Sequence, residues 1–154
     1  MRKIIIVLLF FVTVGTSPTH AAVVPDELQQ CILGAIKNTA AAHEQNNQLE
    51  LKKLYNHHFG DALAMRAVKK SRWEKFGENE KQLQRDHTRN YTVSITGWLV
   101  EYASAPVTFI GESDGVVSAY AMLTNSKGKL IRYNLAWRMV GACEFEDVNI
   151  SGVW

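Results

Sequence analysis

The chain has almost no charge excess, no CxxC, no HExxH, and no long apolar run after Val14. Each absence closes a class of function. The formal net charge is +2, and Arg2 and Lys3 at the extreme N-terminus account for that excess. A balanced surface lacks the clustered basic face that nucleic acid requires, so no nucleic-acid partner is expected. Without HExxH, the nearest thing to a metal set is His57 and His58 beside Asp61. His58 and Asp61 lie one helical turn apart, but Gly60 separates them and no third ligand has suitable spacing. No metal is expected there. Only Cys31 and Cys143 are present, far apart in sequence, which argues against thiol catalysis or a zinc site. No repeat and no low-complexity tract divides the chain.

What the chain does have begins with Arg2-Lys3, an apolar run from Ile4 to Val14, and small and polar residues to Ala21 and Ala22. This reads as a secretory signal peptide over residues 1–21, with a cleavage site of the Thr19-His20-Ala21 kind; the apolar run is too short to span a bilayer. No cysteine stands at the cleavage point, so a lipoprotein anchor is not expected. Residues 22–154 then form one exported α+β domain, long enough for one sizeable core. In an oxidising compartment Cys31 and Cys143 are a candidate disulfide. Closing a loop of about 110 residues would stabilise by about 4–5 kcal/mol in the chain-entropy model. The alternative is a pair of small buried hydrophobes.

Leu130–Val140 is the most informative stretch. Ile131, Tyr133, Leu135, Trp137 and Met139 fall on one side of a two-residue period, while Arg132, Asn134 and Arg138 fall on the other. That predicts a strand with one wet and one buried face. Further strands are expected over Val107–Ile110, Val116–Thr124 and Glu144–Val153. Hairpin-type turns are expected at Ser113-Asp114-Gly115, Asn125-Ser126-Lys127-Gly128 and Gly141-Ala142. Val116–Thr124 is apolar on both sides, so its inward face is not legible.

Before Pro106 the spacing is helical. Pro25-Asp26-Glu27 opens a helix running to about Ala42, with acidic groups at the positive end of its dipole. A second short helix carries Leu49, Leu51, Leu54, Tyr55 and Phe59. Gly60-Asp61 predicts a stop and an N-cap, Ala62–Ser71 a third helix, and Glu80–Ala103 a long one weakened at Gly97. Helices followed by an antiparallel meander predict N-terminal helices on one face of a curved four-stranded sheet, an NTF2-like cone.

Three chemistries compete for such an interior. Gly111-Glu112-Ser113-Asp114-Gly115 fits G-x-S-x-G, but an elbow needs a helix after the turn and a later His, and His87 is the last in the chain. A cone-fold acid–base enzyme could use His87, which lies on the long helix's apolar stripe. An interaction module with a solid core is the third reading. Tyr91, Trp98, Tyr102, Phe109, Tyr120, Tyr133 and Trp137 could line a cavity or simply fill a core.

Several motifs resemble the periplasmic phospholipid-binding family of MlaC, the toluene-tolerance auxiliary proteins. Asp61, Met65-Arg66 and Trp73 stand in the family's order, and Leu99 to Tyr102 matches its L-x-x-Y before the strand at Val107-Thr108-Phe109. Trp137-Arg138-Met139-Val140 and Asp147-Val148-Asn149-Ile150-Ser151-Gly152-Val153 match its closing pattern. The chain departs from the family with Lys70-Ser71 for a Leu-Gly pair, and with Leu83 and His87 where the family has Phe. The resemblance implies a non-enzymatic, cofactor-free periplasmic carrier that buries phospholipid tails. By the same resemblance, its partners are an inner-membrane ABC transporter with an MCE-domain subunit and an outer-membrane lipoprotein complex. At about 0.8 kcal/mol per CH₂, two tails offer on the order of 20 kcal/mol before ordering costs. The expected lining is Tyr91, Ile95, Leu99 and Tyr102 from the helical half, and Phe109, Tyr133, Leu135, Trp137, Val148 and Ile150 from the sheet.

Overall fold

Helical periodicity before Pro106 and two-residue alternation after it resolve into two layers. The computed structural model describes residues 21–153, with side chains apart from those of Ile95, Trp98, Leu99 and Val153. The segment read as a signal peptide lies outside the described residues up to position 20. The helical layer comprises α1 (Asp26–Glu44), α2 (Gln48–His58), α3 (Ala62–Val68), α4 (Lys70–Trp73), α5 (Glu78–Ile95) and α6 (Leu99–Ala103). The sheet layer comprises β1 (Val107–Ser113), β2 (Val116–Thr124), β3 (Leu130–Met139) and β4 (Phe145–Val153), antiparallel in the order β1-β2-β3-β4. The protein is an α+β fold. Among the described residues no helix is long and apolar enough to cross a membrane.

Local chemistry sets the helix boundaries. Asp26 and Glu27 occupy the first turn of α1, where negative charge meets the exposed N–H groups. Asn47 caps α2, its Oδ1 accepting from the Glu50 N–H at 3.1 Å. Glu80 reaches back to the Gly77 N–H at 2.8 Å and closes the start of α5. Three expectations need correction. Asp61 precedes α3 but makes no side-chain cap bond, because its carboxylate is held by Arg85 instead. The helix expected over Ala62–Ser71 breaks at Lys69, whose φ of 72° no helix tolerates. The long helix does not run unbroken to Ala103: a 3₁₀ turn at Thr96–Trp98 interrupts it, and the glycine expected to weaken it is the middle residue of that turn.

The register settles which side of β2 faces inward. Val117 pairs with Trp137, Ala119 with Leu135 and Ala121 with Tyr133. Leu135 pairs in turn with Ile150, and Trp137 with Val148. These residues share the face that meets the helices. Tyr120 lies on the opposite face, with the Arg132 guanidinium 4.2 Å from its ring centroid. Asp114 and Gly115, with φ of 53° and 72°, make the two-residue turn between β1 and β2, a backbone twist that suits right-twisted strands. Gly111 is required for a different reason. A Cβ there would lie 2.7 Å from the Ala21 side chain, where Ala22 bridges to Glu112 along the edge of β1.

The core joins both layers: Ile32 and Ile36 of α1, Tyr102 of α6, and Val117, Ala119, Leu135, Trp137 and Phe145 from the sheet side. Cys31 and Cys143 are joined in a disulfide across 112 residues, with their Cα atoms 5.8 Å apart. The bond ties α1 to the turn that leads into β4. Arg66 of α3 reaches Asp147 of β4 at 2.8 Å, a partly exposed ion pair that adds orientation more than stability.

Candidate apolar cavity

Between the two layers the packing does not close. The inward side chains of β3 and β4, Leu135, Trp137, Val148 and Ile150, form one wall of a cavity of about 340 Å³. Ala35 and Ile36 of α1 close one side, and Leu51, Leu54, Tyr55 and His58 of α2 another. Thr88 and Thr92 of α5 complete the enclosure. The lining is overwhelmingly apolar, the character expected of a site that removes hydrocarbon from water.

An aromatic cluster stiffens the α2 wall. The Tyr55 ring lies 5.4 Å from Phe59, Phe59 meets Phe145 edge-on at 5.8 Å, and His58 stacks on Phe145 at 5.4 Å. His58 Nδ1 donates to the Cys143 carbonyl at 3.1 Å, so the proton sits on Nδ1 in the neutral ring. Burial pushes the His58 pKa below its ordinary value; the Cys143 carbonyl opposes that shift, and the neighbouring His57 charge adds to it. Two of the threonines that line the cavity are hydrogen-bonded. Gln84 donates to the Thr88 hydroxyl at 3.0 Å, and Thr96 donates to the Val93 carbonyl while accepting from His43 Nε2 at 2.8 Å. Burial lowers the His43 pKa as well.

The expected lining residues fall into three groups. Tyr102, Leu135, Trp137, Val148 and Ile150 line the cavity, and Tyr91 stands at its rim, 61% exposed. Phe109 and Tyr133 are packed against the core but are not among the lining side chains. Tyr133 is covered by Tyr102, whose ring meets it edge-on at 5.5 Å, and Phe109 sits on β1, two strands away from Leu135 and Trp137. The side chains of Ile95 and Leu99 lie outside the described residues. Burial, with the nearby Tyr133 and Glu101, pushes the Tyr102 hydroxyl up to about 12, so it stays protonated.

Sequence reasoning did not assign the α2 wall to the site. Leu51, Leu54, Tyr55 and His58 recur at intervals of three or four residues, an ordinary helical stripe. Nothing in that spacing tells a stripe that packs solidly from one that faces a void.

The remaining candidate chemistries have definite locations. His87 is exposed and does not line the cavity. Ser113 lies at the end of a strand running into a hairpin turn, without the helix that a nucleophile elbow needs. His57 is exposed, and Asp61 is engaged by Arg85. Cys31, His58 and Cys143 bring their ligand atoms within 4.8 Å of one another. With the two sulfurs bonded to each other, neither is a thiolate, and the grouping acts as a staple. No family model matches this chain, and no curated protein matches it.

Proposed function

We propose that this protein is a periplasmic lipid carrier, non-enzymatic and cofactor-free, that buries an acyl chain of a phospholipid between helices and sheet. It would move lipid between outer- and inner-membrane systems. The observation that carries this reading is the apolar cavity of about 340 Å³, walled by Leu135, Trp137, Val148 and Ile150. The resemblance of Trp137–Val140 and Asp147–Val153 to the MlaC family supports it. So does the apolar run at the N-terminus, which reads as an export signal. An ABC transporter with an MCE-domain subunit and an outer-membrane lipoprotein complex are the partners that the same resemblance proposes.

Volume limits the load. At roughly 30 Å³ per methylene-sized group, the share of one water in the liquid, the cavity takes about eleven such groups. That corresponds to one chain of moderate length and to on the order of 9 kcal/mol of transfer free energy before ordering costs. An acid–base enzyme is the weaker reading, because its one candidate base, His87, points to solvent. A solid-core interaction module is weaker too, because it leaves the cavity without a purpose.

Native mass spectrometry of protein purified from cells tests the proposal. Co-purifying phospholipid is the expected result; ligand-free protein that also refuses lipid on incubation would overturn it. Leu135→Asp places a charge on the cavity wall and is expected to abolish loading in protein that still folds. Loading that survives this change would move the lipid elsewhere.

A further inference from the structure

The disulfide sits beside a third group able to bind metal. Sequence separation argues against a zinc site at Cys31 and Cys143, but the fold closes those 112 residues. Their two Sγ atoms and a ring nitrogen of His58 all lie within 4.8 Å of one another. No other such trio of His, Cys, Asp or Glu occurs among the described residues. Each group comes from a different part of the fold: Cys31 from α1, His58 from α2, and Cys143 from the turn before β4.

The distances suit a zinc cage. With Zn–S of about 2.3 Å and Zn–N of about 2.0–2.1 Å, a thiolate sulfur and an imidazole nitrogen on one tetrahedral ion stand about 3.5 Å apart. His58 Nδ1 lies 3.6 Å from Cys143 Sγ. Two thiolates on such an ion stand about 3.8 Å apart, a spacing open to side chains whose Cα atoms are 5.8 Å apart. Cys31 and Cys143 are half-buried and within reach of solvent, while His58 is buried and its ring is fixed by stacking on Phe145. Ligands held by packed elements need little rearrangement to take an ion.

We infer that, once its disulfide is reduced, this protein binds Zn²⁺ through the thiolates of Cys31 and Cys143 and Nδ1 of His58, with water in the fourth position. The reductant is a dithiol. One of its thiolates attacks a cysteine sulfur and breaks the S–S bond, and its second thiol resolves the mixed disulfide. The reductant leaves as a disulfide, and its two electrons and two protons stay on Cys31 and Cys143. Zn²⁺ then displaces both thiol protons to solvent. The His58 ring stays neutral: its proton passes from Nδ1 to Nε2, and Nδ1 turns from the Cys143 carbonyl to the ion. The covalent staple thus gives way to an ion that joins the same two segments and adds α2.

The test reduces the full chain anaerobically with a phosphine, which leaves no competing thiol, and titrates it with Co²⁺ and then Zn²⁺. One Co²⁺ per chain should bind, with the thiolate charge-transfer and intense d–d absorption of a tetrahedral site, and Zn²⁺ should displace it. The disulfide form should show no such spectrum. His58→Phe keeps a ring against Phe145 and leaves the disulfide able to form, so its folding is checked in the oxidised state. Once reduced, this variant should bind Zn²⁺ about ten-fold or more weakly than the unaltered protein. Zn²⁺ should also slow disulfide re-formation by an added oxidant about ten-fold or more. If the reduced chain unfolds on its own, Zn²⁺ should restore the near-ultraviolet circular dichroism of the folded protein. Absence of the tetrahedral spectrum, an affinity unchanged in His58→Phe, or failure of Zn²⁺ to restore that signal would each overturn the site. Equal Zn²⁺ affinity in denaturing urea would overturn it as well, since two free thiols rather than the folded trio would then account for the uptake.

Discussion

The inner face of the sheet is closed along β2 and open along β3 and β4. On β2 the inward residues are Val117, Ala119 and Ala121, all almost fully buried, and α6 packs directly on that strand. Small side chains let the helical layer come close. On β3 and β4 the inward residues are larger, Leu135, Trp137, Val148 and Ile150, and they face α2 and α5 across an empty space. A single sheet face thus carries a solid half and a hollow half. The difference lies less in hydrophobicity than in how near the opposite layer can approach, since a helix held off by bulky groups leaves a gap it cannot refill.

The largest expected effect comes from the staple. Cys31→Ser combined with Cys143→Ser releases α1 and the turn before β4. Urea denaturation should show a loss of about 4–5 kcal/mol by the chain-entropy model. A loss near zero would mean that packing alone holds the two layers in place.

The second experiment sets the two halves against each other with the same kind of change. Ala119→Leu enlarges a side chain in the closed half and should destabilise by about 1–3 kcal/mol through overpacking. Ala35→Leu enlarges one at the cavity wall, where space is present, and should cost well under that while reducing lipid loading. Equal penalties in urea melts would erase the distinction between the halves.

The smallest effect is a pH dependence. Burial depresses the folded pKa of His58 below its ordinary value of 6.5, so below that pH the unfolded chain binds the extra proton more readily. Stability is therefore unaffected by this group above 6.5, and falls as pH drops from 6.5 towards the lower folded pKa. Thermal melts of the unaltered protein over that range should decline more steeply than those of His58→Gln, and His43 adds a slope of the same sign. Identical slopes in the two proteins would place the acid sensitivity elsewhere.

Much of this architecture was legible before any coordinates. The alternation of Ile131, Tyr133, Leu135 and Trp137 against Arg132, Asn134 and Arg138 marked β3 and its buried face, because a half-buried strand imposes period two directly on the sequence. The Asp114-Gly115 and Asn125–Gly128 turns were readable for a similar local reason. Breaks inside the helical half were less so. Lys69 carries no sign of its positive φ, and the loss of the Asp61 cap depends on Arg85, which is 24 residues away.

The candidate site divides along the same line. Leu135, Trp137, Val148 and Ile150 were expected in the lining once the resemblance implied a lipid cavity, and they line the cavity. Phe109 and Tyr133 share that face yet pack away from the space, and the α2 residues that complete the wall were read only as a short helix.

By itself, then, the sequence determined the α+β class, the four-stranded meander and the identity of its strongest buried face, since all three follow from short-range periodicity and turn chemistry. Tertiary structure alone decided that the buried face is partly vacant and that Cys31 meets Cys143. Those outcomes depend on distances between segments far apart in the chain, which local patterning does not encode.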